Sequence, residues 1–83
     1  MWETLFGTAR CKDCVIQYYL VTELLENGIE AYGVLVRFLG EIARIPAITL
    51  SLERVHVLLN ILKLGAVTPV TLRDVVEDFL IEF

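Results

Sequence analysis

The last part of the chain has the pattern of an amphipathic helix. Apolar residues recur at the spacing of one helix face, and charged residues fill the positions between them. Thr68 is a favoured N-cap residue, and Pro69 suits the first helical turn, where a backbone N–H would lack a partner. The pattern therefore predicts a C-terminal helix whose buried stripe consists of Leu72, Val75, Val76, Phe79, Leu80 and Phe83.

A second helix is predicted just before it, over residues 52–64. Ser51 can serve as its N-cap, and Gly65 is a favoured residue just past a helix end. Most of its circumference is apolar, so it needs packing partners on most sides. A short chain supplies few such partners, which favours an oligomer. The narrow polar stripe of this helix consists of Glu53, His56, Asn60 and Lys63.

The first half of the chain predicts a β-hairpin. Asn27-Gly28 separates two β-rich runs, residues 15–26 and 29–39, and favours a two-residue type I′ turn with Glu26 opposite Ile29. Both hairpin faces are then apolar, whereas a sheet with one wet face alternates between apolar and polar residues. We expect the helices to cover one face and another chain or the N-terminal segment to cover the second. That second sheet face consists of Tyr19, Val21, Tyr32, Val34 and Val36.

Two flanking segments complete the predicted sheet. Residues 3–10 can form a first strand with Lys12-Asp13 at the turn, and residues 40–50 are ambiguous because Pro46 confines any strand there to an edge. The predicted fold class is α+β: an antiparallel hairpin or meander of two to four strands, followed by two C-terminal helices packed on the sheet. At 83 residues, we expect one small domain over residues 1–83.

Composition and charge narrow the range of functions. Hydrophobic residues make up 57% of the chain, but charged residues interrupt every run before the roughly 18–20 apolar residues that a membrane helix needs. The N-terminal residues lack the features of a signal peptide. We therefore expect a cytoplasmic protein that does not bind membranes. A net charge of −4 argues against direct nucleic-acid binding, which needs clustered Lys and Arg.

The cysteines Cys11 and Cys14 form the one motif that could bind a metal ion or take part in a reaction. A structural zinc ion takes four Cys or His ligands, and one chain offers at most three, Cys11, Cys14 and His56, so the pair could hold zinc only when it is shared between two chains. Two reduced cysteines beside a turn are the preferred interpretation. His56 has no nucleophile at a recognisable spacing, and we interpret it as a surface histidine that hydrogen-bonds locally. We expect neither catalytic residues nor a cofactor, and therefore no enzyme.

The polar side of the C-terminal helix carries a row of acids. Carboxylates in such a row are usually the solvated face of an amphipathic helix. If the chain has a contact surface for a partner protein, this acidic face is the best candidate besides the second sheet face. The acidic face consists of Asp74, Glu77, Asp78 and Glu82.

Several segments together resemble a family of short proteins of unknown function from Clostridia-like Gram-positive bacteria. These segments are Gln17-Tyr18-Tyr19-Leu20-Val21, Ala31-Tyr32-Gly33-Val34, Ile48-Thr49 with Glu53-Arg54-Val55, and Val67-Thr68-Pro69-Val70 with Leu72-Arg73-Asp74-Val75-Val76-Glu77-Asp78-Phe79-Leu80. The resemblance implies a small domain of a β-hairpin plus helices. It brings no established activity and gives no role to Cys11 or Cys14.

The favoured hypothesis is a non-enzymatic protein-interaction or regulatory module that acts as a homodimer or with another protein. One alternative is an acidic inhibitor that mimics nucleic acid and binds a basic protein partner. Another is a dimer held together by zinc through Cys11 and Cys14.

Overall fold

The computed structural model describes residues 1–82, which form one antiparallel sheet and two helices. The strands follow each other in the order β1-β2-β3-β4, so the sheet is a meander. The predicted α+β architecture is confirmed, and the ambiguous segment around Pro46 forms the edge strand β4. The elements are β1 Trp2–Cys11, β2 Cys14–Leu24, β3 Glu30–Phe38, β4 Glu41–Thr49, α1 Leu52–Leu64 and α2 Leu72–Glu82.

The turn between β2 and β3 has three residues, so the predicted type I′ turn is wrong. The Gly28 N–H donates to the Leu25 carbonyl at 3.0 Å, and the Leu25 N–H donates to the Ile29 carbonyl at 2.9 Å. Gly28 alone in this loop has a positive φ, of 83°. These features describe a type I turn followed by a left-handed glycine. Asn27 adds a side-chain contact, since its Oδ1 accepts from the Ile29 N–H at 3.1 Å.

The extra turn residue shifts the strand register by one. Tyr19 therefore faces Leu35 rather than Val36, and a one-residue shift moves every β3 side chain to the other face. The observed register places Val36 opposite Tyr18, where the predicted register would have placed Arg37. Burial of apolar side chains beneath the helices thus favours the longer turn.

The predicted second sheet face is corrected accordingly. Tyr19 and Val21 lie on the face away from the helices, whereas Val34 and Val36 belong to the core beneath the helices. Tyr32 also packs against that core. The five residues therefore do not share one surface.

The core lies between the sheet and helix α1, which contacts all four strands. Helix α1 has the predicted bounds, and the Ser51 Oγ caps it by accepting from the Arg54 N–H at 3.2 Å. Local capping and a strong apolar pattern were therefore sufficient to define this element. The buried core cluster consists of Ile16, Tyr18, Val34, Val36, Val55, Leu58, Leu59, Leu62, Val67, Leu72, Val76 and Phe79.

The left-handed residue that follows α1 is Ala66 and not Gly65, although the helix ends at Leu64 as predicted. Gly65 has φ −88° and remains helix-like, whereas Ala66 takes the left-handed position with φ 47°. The Val67 N–H donates to the Leu62 carbonyl at 3.0 Å, and the Ala66 N–H donates to the Lys63 carbonyl at 3.2 Å. These two bonds form a Schellman motif, which Val67 and Leu62 support by packing in the core.

Helix α2 begins later than predicted. Residues 68–71 form a separate turn in which the Thr71 N–H donates to the Thr68 carbonyl at 3.2 Å. Thr71 then precedes the helix, and its carbonyl accepts from the Val75 N–H at 3.2 Å. Thr68 is therefore not the N-cap of α2. The β-branched Val70 and Thr71 have low helix propensity, which is consistent with the delayed start.

The apolar stripe of α2 is narrower than predicted. Leu72, Val76 and Phe79 are buried, and Val75 is half-buried. Leu80 is 51% exposed and does not belong to the buried stripe. The predicted stripe also included Phe83, which lies outside the described residues. The helix therefore docks through a single row of side chains.

Tyr18 joins the sheet to the segment between the two helices. Its side chain is fully buried, and its hydroxyl donates to the Val67 carbonyl at 2.9 Å. Burial, together with the nearby Cys11 thiolate, raises the pKa of Tyr18 to about 12. The neutral phenol is therefore the form that the fold stabilises.

This raised pKa predicts a loss of stability at alkaline pH. An unfolded tyrosine ionises near pH 10, so the contribution of Tyr18 is complete below that pH and is lost as the pH rises through the folded pKa of about 12. Relative to Tyr18→Phe, we expect wild type to lose about 2–3 kcal/mol of unfolding free energy over this window. Urea unfolding of both proteins at several pH values measures it. If the unfolding free energies of wild type and Tyr18→Phe changed equally with pH above about pH 10, the raised pKa of Tyr18 would be contradicted.

Candidate interaction surface

The helices leave one face of the sheet uncovered, which we call the outer face. Its residues alternate along each strand with those that face the core, and the strand pairing brings them into rows across the sheet. Between Leu5 and Gly7, β1 contains one residue more than β2. Because of this irregularity, the β1 residues on both sides of it share a face with the β2 residues that they pair with. The outer face consists of Glu3, Leu5, Thr8, Arg10, Val15, Gln17, Tyr19, Val21, Glu23, Ala31, Gly33, Leu35, Arg37, Ile42 and Arg44.

One end of the outer face is covered by β4 itself. Ile45 pairs with Val34 and Thr49 pairs with Tyr32, so residues 46–48 of β4 all lie opposite the single residue Gly33. A Cβ built on Gly33 would lie 2.6 Å from the Pro46 Cα, so the β4 backbone passes directly over this glycine. Strands β2 and β4 accordingly touch although β3 lies between them. Val21 and Leu35 are buried here, at 0% and 1% exposure.

An ion pair links the two edge strands across the same face. The Arg44 guanidinium on β4 contacts the Glu3 carboxylate on β1. Glu3 stands beside Val21 in the sheet, and Arg44 stands beside Leu35. The two side chains are 31% and 44% exposed, and such exposed pairs contribute at most about 1 kcal/mol. The pair therefore helps to enclose this end of the outer face but does not dominate its stability.

The other end of the outer face is open, and its apolar side chains lie among the polar Thr8, Arg10 and Gln17. Leu5, Val15 and Ile42 are 52%, 46% and 54% exposed. Leu5 pairs with Tyr19, whereas Val15 lies four residues earlier on the same strand and Ile42 pairs with Arg37. The Tyr19 ring lies 5.6 Å from the Arg37 guanidinium carbon, and its hydroxyl contacts Gln17 Oε1 at 3.4 Å. A patch with aromatic, aliphatic and arginine side chains has the composition of a protein interface core. We call this set, Leu5, Val15, Tyr19, Arg37 and Ile42, the outer patch.

Sequence reasoning identified only part of this surface. Of the predicted second sheet face, Tyr19 lies in the outer patch, Val21 is buried beside it, and Val34 and Val36 are in the core. Tyr32 is half-buried on the core side, and its hydroxyl donates to Glu30 at 3.2 Å. Burial and this neighbouring carboxylate raise the pKa of Tyr32.

The acidic face of α2 is exposed. Asp74, Glu77, Asp78 and Glu82 all lie on the solvent side of the helix. Asp78 and Glu82 also line a shallow groove of about 180 Å³, together with the half-buried Ile61 and Val75. The four acids thus form a solvated helix face, as the preferred interpretation of the sequence has it.

The cysteines and the histidine lie apart. Cys11 and Cys14 face each other at the ends of β1 and β2, and both are free thiols. His56 is exposed on α1, where its ring lies 5.8 Å from the ring of Phe6. Within residues 1–82, no group of three or more Cys, His, Asp or Glu residues is placed to hold a metal ion. A zinc ion at Cys11 and Cys14 would therefore need ligands from a second chain.

Comparison with known proteins identifies a family. A family of unknown function, DUF6514, matches residues 6–82. The chain belongs to this family. The match covers the four strands, except for the first residues of β1, and both helices, and it confirms the expected membership of a family of unknown function. No curated protein and no solved structure matches the chain.

The chain also forms a groove of about 440 Å³ between β4 and the start of α2. Its polar lining groups are Arg44, Arg73 and Asp74, and Arg44 already pairs with Glu3. The described lining residues of this groove include no Ser, Cys or His that could act as a nucleophile or base. Neither α1 nor α2 is long and apolar enough to cross a membrane.

Proposed function

We propose that this DUF6514 chain is a non-enzymatic protein-interaction module that pairs with a second copy of itself through the outer patch. The observation that supports this most directly is the cluster of half-exposed apolar side chains on the sheet face that the helices leave uncovered. Large exposed apolar side chains gathered in one patch are typical of interaction sites. Two such sheets can pack face to face with their apolar side chains interdigitated.

The charges around the outer patch are balanced within the chain only in part. Arg37 lies over the Tyr19 ring, and Arg44 pairs with Glu3 in the same chain. Arg44 is therefore neutralised within each copy, whereas Arg37 keeps its positive charge, since contact with a ring does not neutralise a cation. Tyr and Arg are also the residue types that most often dominate the binding energy of an interface.

Helix α1 is a weaker candidate for the dimer surface. Its exposed apolar residues include Leu52, Val57 and Leu64. They alternate with the exposed polar residues Glu53 and Asn60, so they do not form a continuous patch. Apolar residues scattered singly over a surface are normal in monomeric proteins.

The dimer is tested by sedimentation equilibrium under reducing conditions, which excludes disulfide-linked dimers. We expect a concentration-dependent dimer for wild type. Ile42→Glu and Leu5→Glu place a charge in the apolar contact, which should cost about 2 kcal/mol or more and weaken dimerisation about 30-fold or more. Circular dichroism checks that both variants remain folded.

A matched control separates the outer patch from general surface apolarity. Leu64→Glu introduces the same charge at a residue of α1 that is 85% exposed, and it should leave the dimer unchanged. A wild-type monomer throughout the concentration range would exclude the proposal. Dimer loss in Leu64→Glu with dimer retention in Ile42→Glu would move the contact to the helices.

A further inference from the structure

Cys11 and Cys14 stand directly opposite each other at the end of the first hairpin. Cys11 is the last residue of β1, Cys14 is the first of β2, and only Lys12 and Asp13 separate them. Residues paired in this way point to the same face of the sheet. Their Cα atoms lie about 4.5–5.5 Å apart in an antiparallel ladder, which falls within the roughly 4.4–6.8 Å that disulfides require.

The surroundings leave both thiols available for reaction. Both cysteines are unpaired and half-buried, so a small reagent can reach them. Within residues 1–82 there is no third ligand placed to complete a metal site. The pair also bridges two strands and does not begin a helix, which differs from the setting of thioredoxin-like catalytic pairs. The arrangement therefore suits a disulfide that modifies the protein itself.

We propose that Cys11 and Cys14 are a redox modification site that forms a reversible intramolecular disulfide. The oxidant is a low-molecular-weight disulfide such as oxidised glutathione. One cysteine thiolate attacks a sulfur of the oxidant, forming a mixed disulfide and releasing one thiol. The second cysteine thiolate then attacks the protein sulfur of the mixed disulfide and releases the second thiol. The cysteine pair loses two electrons, the small disulfide gains them, and the two cysteine protons end on the released thiols.

The site lies where a covalent link restrains an edge strand. Strand β1 has only β2 as its neighbour in the sheet, and edge elements open locally more easily than central ones. The disulfide fixes the end of β1 at Cys11, a residue that packs against the buried core. The proposal concerns residues outside the outer patch and does not depend on dimer formation.

The test equilibrates the folded protein in mixtures of reduced and oxidised glutathione, then alkylates free thiols and measures intact mass. The same measurement in urea gives the unfolded reference. We expect the ratio of intramolecular disulfide to dithiol to be about tenfold higher in the folded protein, because the fold already holds the cysteines in register. Hydrogen exchange of the β1 amides near Cys11 should slow by a similar factor in the oxidised form.

Variants with the same thiol chemistry define the geometry. Cys14→Ser should stop at the mixed disulfide with glutathione. The double variant Cys14→Ser with Val15→Cys keeps two thiols but places the second on the outer face, so it should also accumulate mixed disulfides. A ratio in the folded protein no higher than in urea would overturn the proposal. So would zinc retained at one ion per two chains with both thiols protected from alkylation.

Discussion

Gly33→Ala is expected to destabilise the fold by about 3 kcal/mol or more, a large share of the roughly 5 kcal/mol of unfolding free energy at the lower end of the range for folded proteins. The added Cβ would lie 2.6 Å from the Pro46 Cα and 3.0 Å from the Pro46 carbonyl carbon, and closer still to the Ile45 carbonyl oxygen. All three are backbone atoms of β4, so the clash cannot be relieved by rotating a side chain. The strand must move away from β3 instead.

The control is Gly7→Ala, which places the same methyl group in another strand. There the nearest atoms belong to the flexible Lys63 side chain, at 3.3–3.5 Å. We expect a change within about 1 kcal/mol, partly offset by the entropy that alanine removes from the unfolded chain. Urea unfolding monitored by circular dichroism compares the two variants with wild type. If Gly33→Ala and Gly7→Ala had equal, small effects on the unfolding free energy, the β4 backbone would not lie in close contact with Gly33.

Gly33 matters because it shapes the outer face as well as the fold. Where β4 passes over it, Val21 and Leu35 are buried, whereas Leu5 on the opposite edge strand and Ile42 nearer the start of β4 stay exposed. A bulge that redirects an edge strand in this way also blunts its capacity for edge-to-edge pairing. The same backbone feature thus covers one end of the sheet and leaves the outer patch at the other.

The parts of the fold that follow local rules were predictable from the sequence. The bounds of α1 follow from Ser51 and from the apolar pattern up to Leu64, and both agree with the structure. The turn at Lys12 and Asp13 and the edge position of Pro46 were also predicted correctly. In each case the signal lies within a few residues of the feature that it controls.

The strand register could not be deduced from the turn sequence alone. Asn27-Gly28 is compatible with a two-residue turn and with a three-residue turn that ends at Gly28. The choice depends on which β3 residues pack beneath α1, and that contact is distant in sequence. Opposite the buried Tyr18, the observed register places the apolar Val36, whereas the predicted register places the charged Arg37. The hydrophobic pattern of β3 therefore favours the observed register.

The outer patch was harder still to predict. Leu5 and Ile42 come from opposite edges of the sheet, so their place on one face depends on three strand pairings and on the irregularity near Phe6. Tyr19 was identified because it belongs to a central strand with a strong β pattern. The surface of a small sheet is therefore predicted only as well as its registers are.

Phe79→Ala is expected to detach helix α2, with a loss of about 3–5 kcal/mol of unfolding free energy. Phe79 is 3% exposed, and the Arg54 guanidinium carbon of α1 lies 5.4 Å from its ring. Helix α2 docks mainly on α1, through the single row that includes Leu72 and Val76. An 11-residue helix without tertiary contacts is only marginally stable in water. We therefore expect a loss of helical circular dichroism and fast hydrogen exchange over α2.

The neighbouring Leu80 supplies the control, because the sequence pattern placed it in the same stripe. It is 51% exposed, so Leu80→Ala should change the unfolding free energy by less than about 1 kcal/mol and leave α2 protected. Thermal and urea unfolding of both variants, with hydrogen exchange of the α2 amides, give the comparison. If Leu80→Ala were as destabilising as Phe79→Ala, helix α2 would have to be rotated about its axis relative to α1.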